Sequence, residues 1–242
     1  MYTLTKLSLF MAAALALRAN AAPASTTTTT ITSQTMAGAT TTCTMQGQQT
    51  AAAAAHPSGI KLTPENLLKI VPNASSCSGA PDAGECRTAE QAAPFIIASF
   101  AKYNITHPEV QAALVSLMAY ETGDFKYGIN HYPAPGTPGQ GTRNMQSPKF
   151  NVQYAQSLGL GSDITADPTK MMESLTQDKY SWGSAAWFVT SQCPYSIRTD
   201  MWTGGKTAWS AYLTKCVGTT ADDKRVAYWQ RAMKELTGKT PA

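Results

Sequence analysis

From residue 58 to residue 242 the apolar side chains recur at helical spacing, with cap and turn residues between the runs. "TPENLLKIV" opens on Thr63-Pro64, a helix-start pair, and Thr88 to Gln91 is a capping-box pattern ahead of "AAPFIIASFAKY". Thr106-His107-Pro108-Glu109 is a second such pattern. It opens a segment in which Val110, Leu114 and Leu117 form one apolar stripe, predicting an amphipathic helix. Asp167 is placed as the N-cap of "PTKMMESL". Trp182, Ala186, Val189 and Cys193 make a further stripe, and Val226, Trp229, Met233 and Leu236 the last. Between Thr122 and Phe150 the rhythm breaks into Gly, Pro, Tyr and Asn, which predicts a long irregular binding loop or a small hairpin. The predicted fold class is mainly α, in one domain over 58–242.

The N-terminal part reads differently. Residues 1–21 have a short basic start, an apolar run from Leu7 to Leu17 and small residues at Ala19 and Ala21, the form of a secretory signal peptide. Residues 22–57 are dominated by Thr, Ala, Ser and Gln, with too few large apolar groups to offset ordering entropy, so they are expected to be a disordered, O-glycosylated stalk. Two N-glycosylation sequons follow, at Asn73 and Asn104. No other stretch is apolar and long enough to cross a bilayer, and a secreted, monomeric protein without a membrane partner is predicted.

Charge and cysteines narrow the function classes. The formal charge of +4 falls to +2 once Lys6 and Arg18 leave with the signal, and no basic cluster marks a nucleic-acid partner. A mild surplus of this kind suits an anionic surface such as a cell wall. Cys77 and Cys86 frame a Gly/Pro-rich loop, and Cys193 and Cys216 frame two helical segments. Pairing these neighbours is the simplest of three connectivities, and it leaves Cys43 over. No Cys/His cluster suggests zinc, and neither a metal nor a cofactor is predicted.

The candidate chemistry begins at Glu121. It continues the stripe of Val110, Leu114 and Leu117 where another leucine is expected, in the last turn before Gly123. Desolvation and the negative end of the helix dipole both favour a protonated carboxyl there, which makes Glu121 a candidate proton donor. Glu121-Thr122-Gly123 at a helix end, then a glycine-containing loop and Asn144-Met145-Gln146, resembles the goose-type lysozymes and bacterial lytic transglycosylases. The wider run, from Thr88 through "YSWGSAAWFVTSQCPY" to "YLTKCVGTTADDKRVAYWQRAMKEL", resembles fungal secreted lysozyme-like proteins with muramidase activity, over essentially the whole domain.

That resemblance implies a lysozyme-like helical domain whose Glu121 protonates the glycosidic oxygen between N-acetylmuramic acid and N-acetylglucosamine in peptidoglycan or a related aminosugar polymer. It implies that Gln146 and the backbone near Met145 line the sugar cleft. Trp187 stands where the family helix "AAYNAG" has its Tyr, and Phe188 where it has its Asn, so Tyr132 or Tyr180 is left to supply a hydroxyl. Tyr127 and Tyr132 are the loop aromatics expected to stack on sugar. Asp124 is the acidic residue between Glu121 and Gln146 and the candidate second catalytic carboxylate, with a turn role as its alternative. Two rival readings come from other classes. One is a non-catalytic wall- or chitin-binding protein on the same scaffold. The other is a cysteine amidase using Cys86 with His107 or His131.

Overall fold

In the computed structural model, residues 58–241 are described. The predicted signal and stalk, with Cys43, lie outside the described residues. The chain runs α1 (Pro64–Ile70), a 3-10 turn (Pro72–Ser75), α2 (Ala89–Lys102), α3 (Pro108–Glu121), α4 (Pro148–Ser157), α5 (Ser162–Thr165), α6 (Pro168–Leu175), α7 (Asp178–Ser181), α8 (Ser184–Ser191), α9 (Tyr195–Asp200), a second 3-10 turn (Met201–Thr203), α10 (Lys206–Ala211) continuing as a π-helical segment (Tyr212–Val217), and α11 (Asp223–Thr237). No strand occurs among the described residues. The loop after α3 makes only isolated bridges, Ile129 to Gly141 and Gly141 to Gln146, so it is irregular rather than a hairpin.

The predicted amphipathic helix is instead a central one. Every residue of α3 from Val110 to Ala119 is buried. Ala112, Ala113, Ser116 and Ala119 take the positions a surface helix would give to charge, and small side chains there let neighbouring helices approach. α11 runs along α3, α1 bridges α11 and α2, and α8 and the Met201–Thr203 turn close further sides. Gln111, fully buried in α3, donates from Nε2 to Gly59 O and Ile105 O, both at 2.9 Å, and accepts from Lys61 N at 3.0 Å. A buried amide is tolerated because each of these bonds replaces one lost to water.

The caps follow local chemistry. Thr63 and Asn66 form a reciprocal box, as do Thr88 and Gln91, and Asp167 Oδ1 accepts from Thr169 N and Lys170 N. At α3 the expectation shifts by one residue. His107, not Thr106, is the N-cap, and it makes no side-chain cap bond. Its ring is used elsewhere, stacked on Trp202 at 4.3 Å. The stripe of Trp182, Ala186, Val189 and Cys193 is buried, although a break at Trp182-Gly183 divides α7 from α8. In α11 the predicted stripe is buried throughout. Disulfides join Cys77 to Cys86 and Cys193 to Cys216. Cys86 therefore offers no free thiol, and the amidase reading falls.

Candidate functional site

The end of α3 is built as a double carbonyl-satisfying turn. Gly123 N donates to Tyr120 O at 3.3 Å and Asp124 N to Ala119 O at 2.8 Å, the paired bonds of a Schellman motif. Thr122 Oγ1 donates to Met118 O at 2.6 Å and accepts from Phe125 N at 3.0 Å. Gly123, Asp124 and Phe125 then take left-handed φ values of 56°, 63° and 67° in succession. Glycine does so freely and Asp tolerably, but for Phe the conformation is strained. Phe125 is held there by complete burial, an edge contact with Trp182 at 5.0 Å, and its carbonyl accepting from Arg87 N and Arg143 Nη1.

This turn sends the two carboxylates to different places. Asp124 Oδ1 accepts from Tyr228 Oη at 2.6 Å and Oδ2 from Asn73 Nδ2 at 2.9 Å, and Asp124 does not line the cleft that holds Glu121. The expected second carboxylate is thus a clasp between the turn, α11 and the 3-10 turn after α1. Burial, and then the hydrogen bond to Asp124, push the Tyr228 hydroxyl up to about 12.

Glu121 opens into a cleft of about 260 Å³ with Met145, Gln146, Phe188, Thr219 and Arg225 among its lining. Among the described lining residues it is the only carboxylate. Arg225 Nη1 donates to Glu121 Oε1 at 2.7 Å, and Nη2 donates to Thr219 Oγ1 at 3.0 Å. The Arg225 guanidinium lies 4.0 Å over the Tyr120 ring, and its Nε is 3.6 Å from Asp222 Oδ2. This cation is absent from the sequence reading of the helix end. Its signal was available, because Arg225 shares the face of Trp229, Ala232 and Leu236 and interrupts an apolar stripe much as Glu121 does. Glu121 Oε2 makes no hydrogen bond among the described residues and is not a buried orphan, so it is the oxygen open to a ligand.

The facing wall comes from the loop. Arg143 is its hub, 1% exposed, donating to Phe125 O and Tyr127 O from Nη1 and to Glu85 O from Nη2, and lying 4.4 Å over the Trp182 ring. Burial pushes its guanidinium down to about 10. Beyond it runs a chain of buried amides. Asn144 Nδ2 donates to Gln146 Oε1 at 3.1 Å, Gln146 Nε2 to Asn151 Oδ1 at 2.8 Å, and Asn151 Nδ2 to Gly139 O at 2.8 Å. Thr142 and Met145 sit at left-handed φ values of 65° and 47° within this stretch. The fold therefore brings Glu121, Met145 and Gln146 to one cleft.

Other expected ligand contacts lie elsewhere. Trp187 is 5% exposed and packs on Tyr154 at 5.1 Å, in the core. Its neighbour Phe188 faces the cleft, edge-on to Phe150 at 4.9 Å. Tyr132 is 84% exposed and Tyr127 stands beside His131 at 5.5 Å, and neither lines the cleft. The Tyr212 hydroxyl senses the charge of Glu121. It is fully buried without a hydrogen-bond partner, and burial first, then the Glu121 charge, raise it above the usual phenol range. Gln140 is shared with an adjoining cavity of about 440 Å³. There the carboxylate of Glu85 is already engaged, by Gly128 N, Ile129 N and His131 Nε2.

No family model matches the chain. Over 156 residues it is 42% identical to a bifunctional dioxygenase (DOX)–epoxy alcohol synthase (EAS) of Fusarium oxysporum (strain Fo5176). That match takes in 59% of this chain but 12% of the relative, so the chain spans a small part of that protein's length. Among solved structures, a bacterial family 19 chitinase is similar with a TM-score of 0.50 at 12% identity, covering 76% of this chain and 98% of the chitinase. Neither is a muramidase. At this identity the likeness is one of fold, a mainly helical, lysozyme-like one.

Proposed function

We propose that the protein is a secreted glycosidase that cleaves the β-1,4 bond between N-acetylmuramic acid and N-acetylglucosamine in bacterial peptidoglycan, with Glu121 as general acid. The observation that carries this reading is the meeting of Glu121, from the end of a buried helix, with the Met145–Gln146 loop in one cleft. Arg225 holds Oε1 as an acceptor, which directs the transferable proton to Oε2, the open oxygen. When that proton passes to the glycosidic oxygen, the carboxylate left behind forms beside a fixed guanidinium, a preorganised stabilisation of developing charge. Gln146 and Asn144, locked by their amide chain, orient the sugar. Asp124 is a structural residue. With no second carboxylate lining the cleft among the described residues, attack comes from water held by the loop amides or from a muramyl hydroxyl.

The chitinase likeness favours a second reading, chitin as the polymer cleaved by the same acid. Mass spectrometry of digests of purified peptidoglycan and of chitin separates these. Muropeptides with reducing or anhydro ends are expected. Chito-oligosaccharides alone replace the first reading with the second, and no product from either polymer refutes both.

A further inference from the structure

At the other end of α3 lies a pocket of about 510 Å³ that shares no lining residue with the Glu121 cleft. α3 has 14 residues, which sets its two ends about 20 Å apart. The pocket is lined by Asn104, His107, Val110, Tyr195, Arg198 and Trp202, among others. Tyr195 and Trp202 are exposed, at 65% and 42%, which is unusual for such large rings in one place. They are nonetheless fixed. The Trp202 indole stacks on the His107 imidazole at 4.3 Å with 7° between planes, and meets the Tyr195 ring edge-on at 6.5 Å.

A polar group with spare capacity stands beside these rings. The Arg198 guanidinium lies 5.2 Å over Tyr195 and donates from Nη1 to Thr190 O at 3.2 Å, while its Nη2 makes no hydrogen bond among the described residues and is not a buried orphan. Asn104, at the rim in a left-handed turn, is itself a predicted N-glycan acceptor, so the Arg198 guanidinium is the donor that an incoming sugar meets. Ordered ring faces flanked by an unpartnered donor match a pyranose, which offers C–H groups on its face and hydroxyl and acetamido groups at its edge.

We propose that this pocket is a second, non-catalytic saccharide site that takes a short β-1,4-linked N-acetyl aminosugar stretch of the polymer. The identity of the polymer rests on the function proposed above; the site itself rests on the rings and the Arg198 guanidinium. Two sites on one rigid helix would hold a single insoluble polymer more firmly than either alone, through raised effective concentration.

The test is co-sedimentation with insoluble bacterial peptidoglycan and with crystalline chitin, using Glu121→Gln protein from a host that adds no N-glycan at Asn104. Adding Tyr195→Ala and Trp202→Ala together is expected to weaken retention roughly tenfold, the scale of losing aromatic anchors. Trp202→Phe keeps a stacking ring and is expected to retain most of the binding, which separates loss of a contact from loss of the fold. Unchanged retention of the double variant on both polymers overturns the proposal. If the protein with Glu121 intact cleaves neither polymer while the double variant still loses its hold, the second site stands and the catalytic reading falls.

Discussion

The helical frame and the loop after α3 are held together by different forces. In the frame, α3 is covered by the apolar faces of α11, α8 and the Met201–Thr203 turn. In the loop, the buried side chains include Thr142, Arg143, Asn144 and Gln146, bonded to carbonyls and to one another. Apolar burial is non-directional and fixes where a helix lies, whereas hydrogen bonds fix where individual atoms point. The Glu121 cleft is assembled where the two meet, with the carboxylate carried by the frame and the amides of Asn144 and Gln146 carried by the loop.

This contrast breaks most visibly at Glu121. Glu121→Gln preserves shape and removes the proton, so turnover of bacterial walls is expected to fall by about 10²–10⁴-fold with an unchanged circular dichroism spectrum. Equal lysis by the two proteins removes Glu121 from the mechanism. Next comes the hub of the loop. Arg143→Met strips donors from Tyr127 O and Glu85 O and is expected to cost about 3 kcal/mol in urea unfolding. A loss near zero would mean that the loop does not depend on its polar hub.

Smaller effects are expected where turn and frame touch. Asp124→Asn weakens the clasp to Tyr228 and Asn73 and should cost about 1 kcal/mol, with turnover little changed. A loss of turnover matching that of Glu121→Gln would instead make Asp124 a catalytic base. The subtlest effect is on pH dependence. Tyr228 is held at about 12 in the folded chain against 10.0 ordinarily, so the native state keeps its proton more tightly than the unfolded one. Its contribution is fully present below about pH 10 and is lost as pH rises through about 12. Thermal melts across that window should fall less steeply for Tyr228→Phe than for the wild type, and parallel curves would deny the linkage.

What could be read from sequence was local. Thr63, Thr88 and Asp167 cap their helices because each bond spans two or three residues. The central position of α3 was not legible, since its small residues look neutral until other helices arrive to cover them. Arg225 is 104 positions from Glu121, and although each interrupts an apolar stripe, nothing in the sequence pairs the two. Trp187, which stands at the position of the family Tyr, misses the cleft by one residue. On a helix that rotates the side chain by about 100°, enough to exchange it for Phe188. The left-handed residues Phe125, Thr142 and Met145 carry no turn signal of their own, because their conformations are imposed by the Arg143 network around them.

The burial of α3 on every side also has a kinetic meaning. An amide exchanges with solvent only when its hydrogen bond opens, and helix ends normally fray well before the rest of a protein does. Here the helix lies inside the core, and its last turn is fastened by Thr122 and by the bonds of Gly123 and Asp124. Deuterium uptake along α3 should therefore track opening of the whole domain, up to the turn that bears Glu121. Glu121, the proposed proton donor, sits on a turn expected to open only with the whole domain.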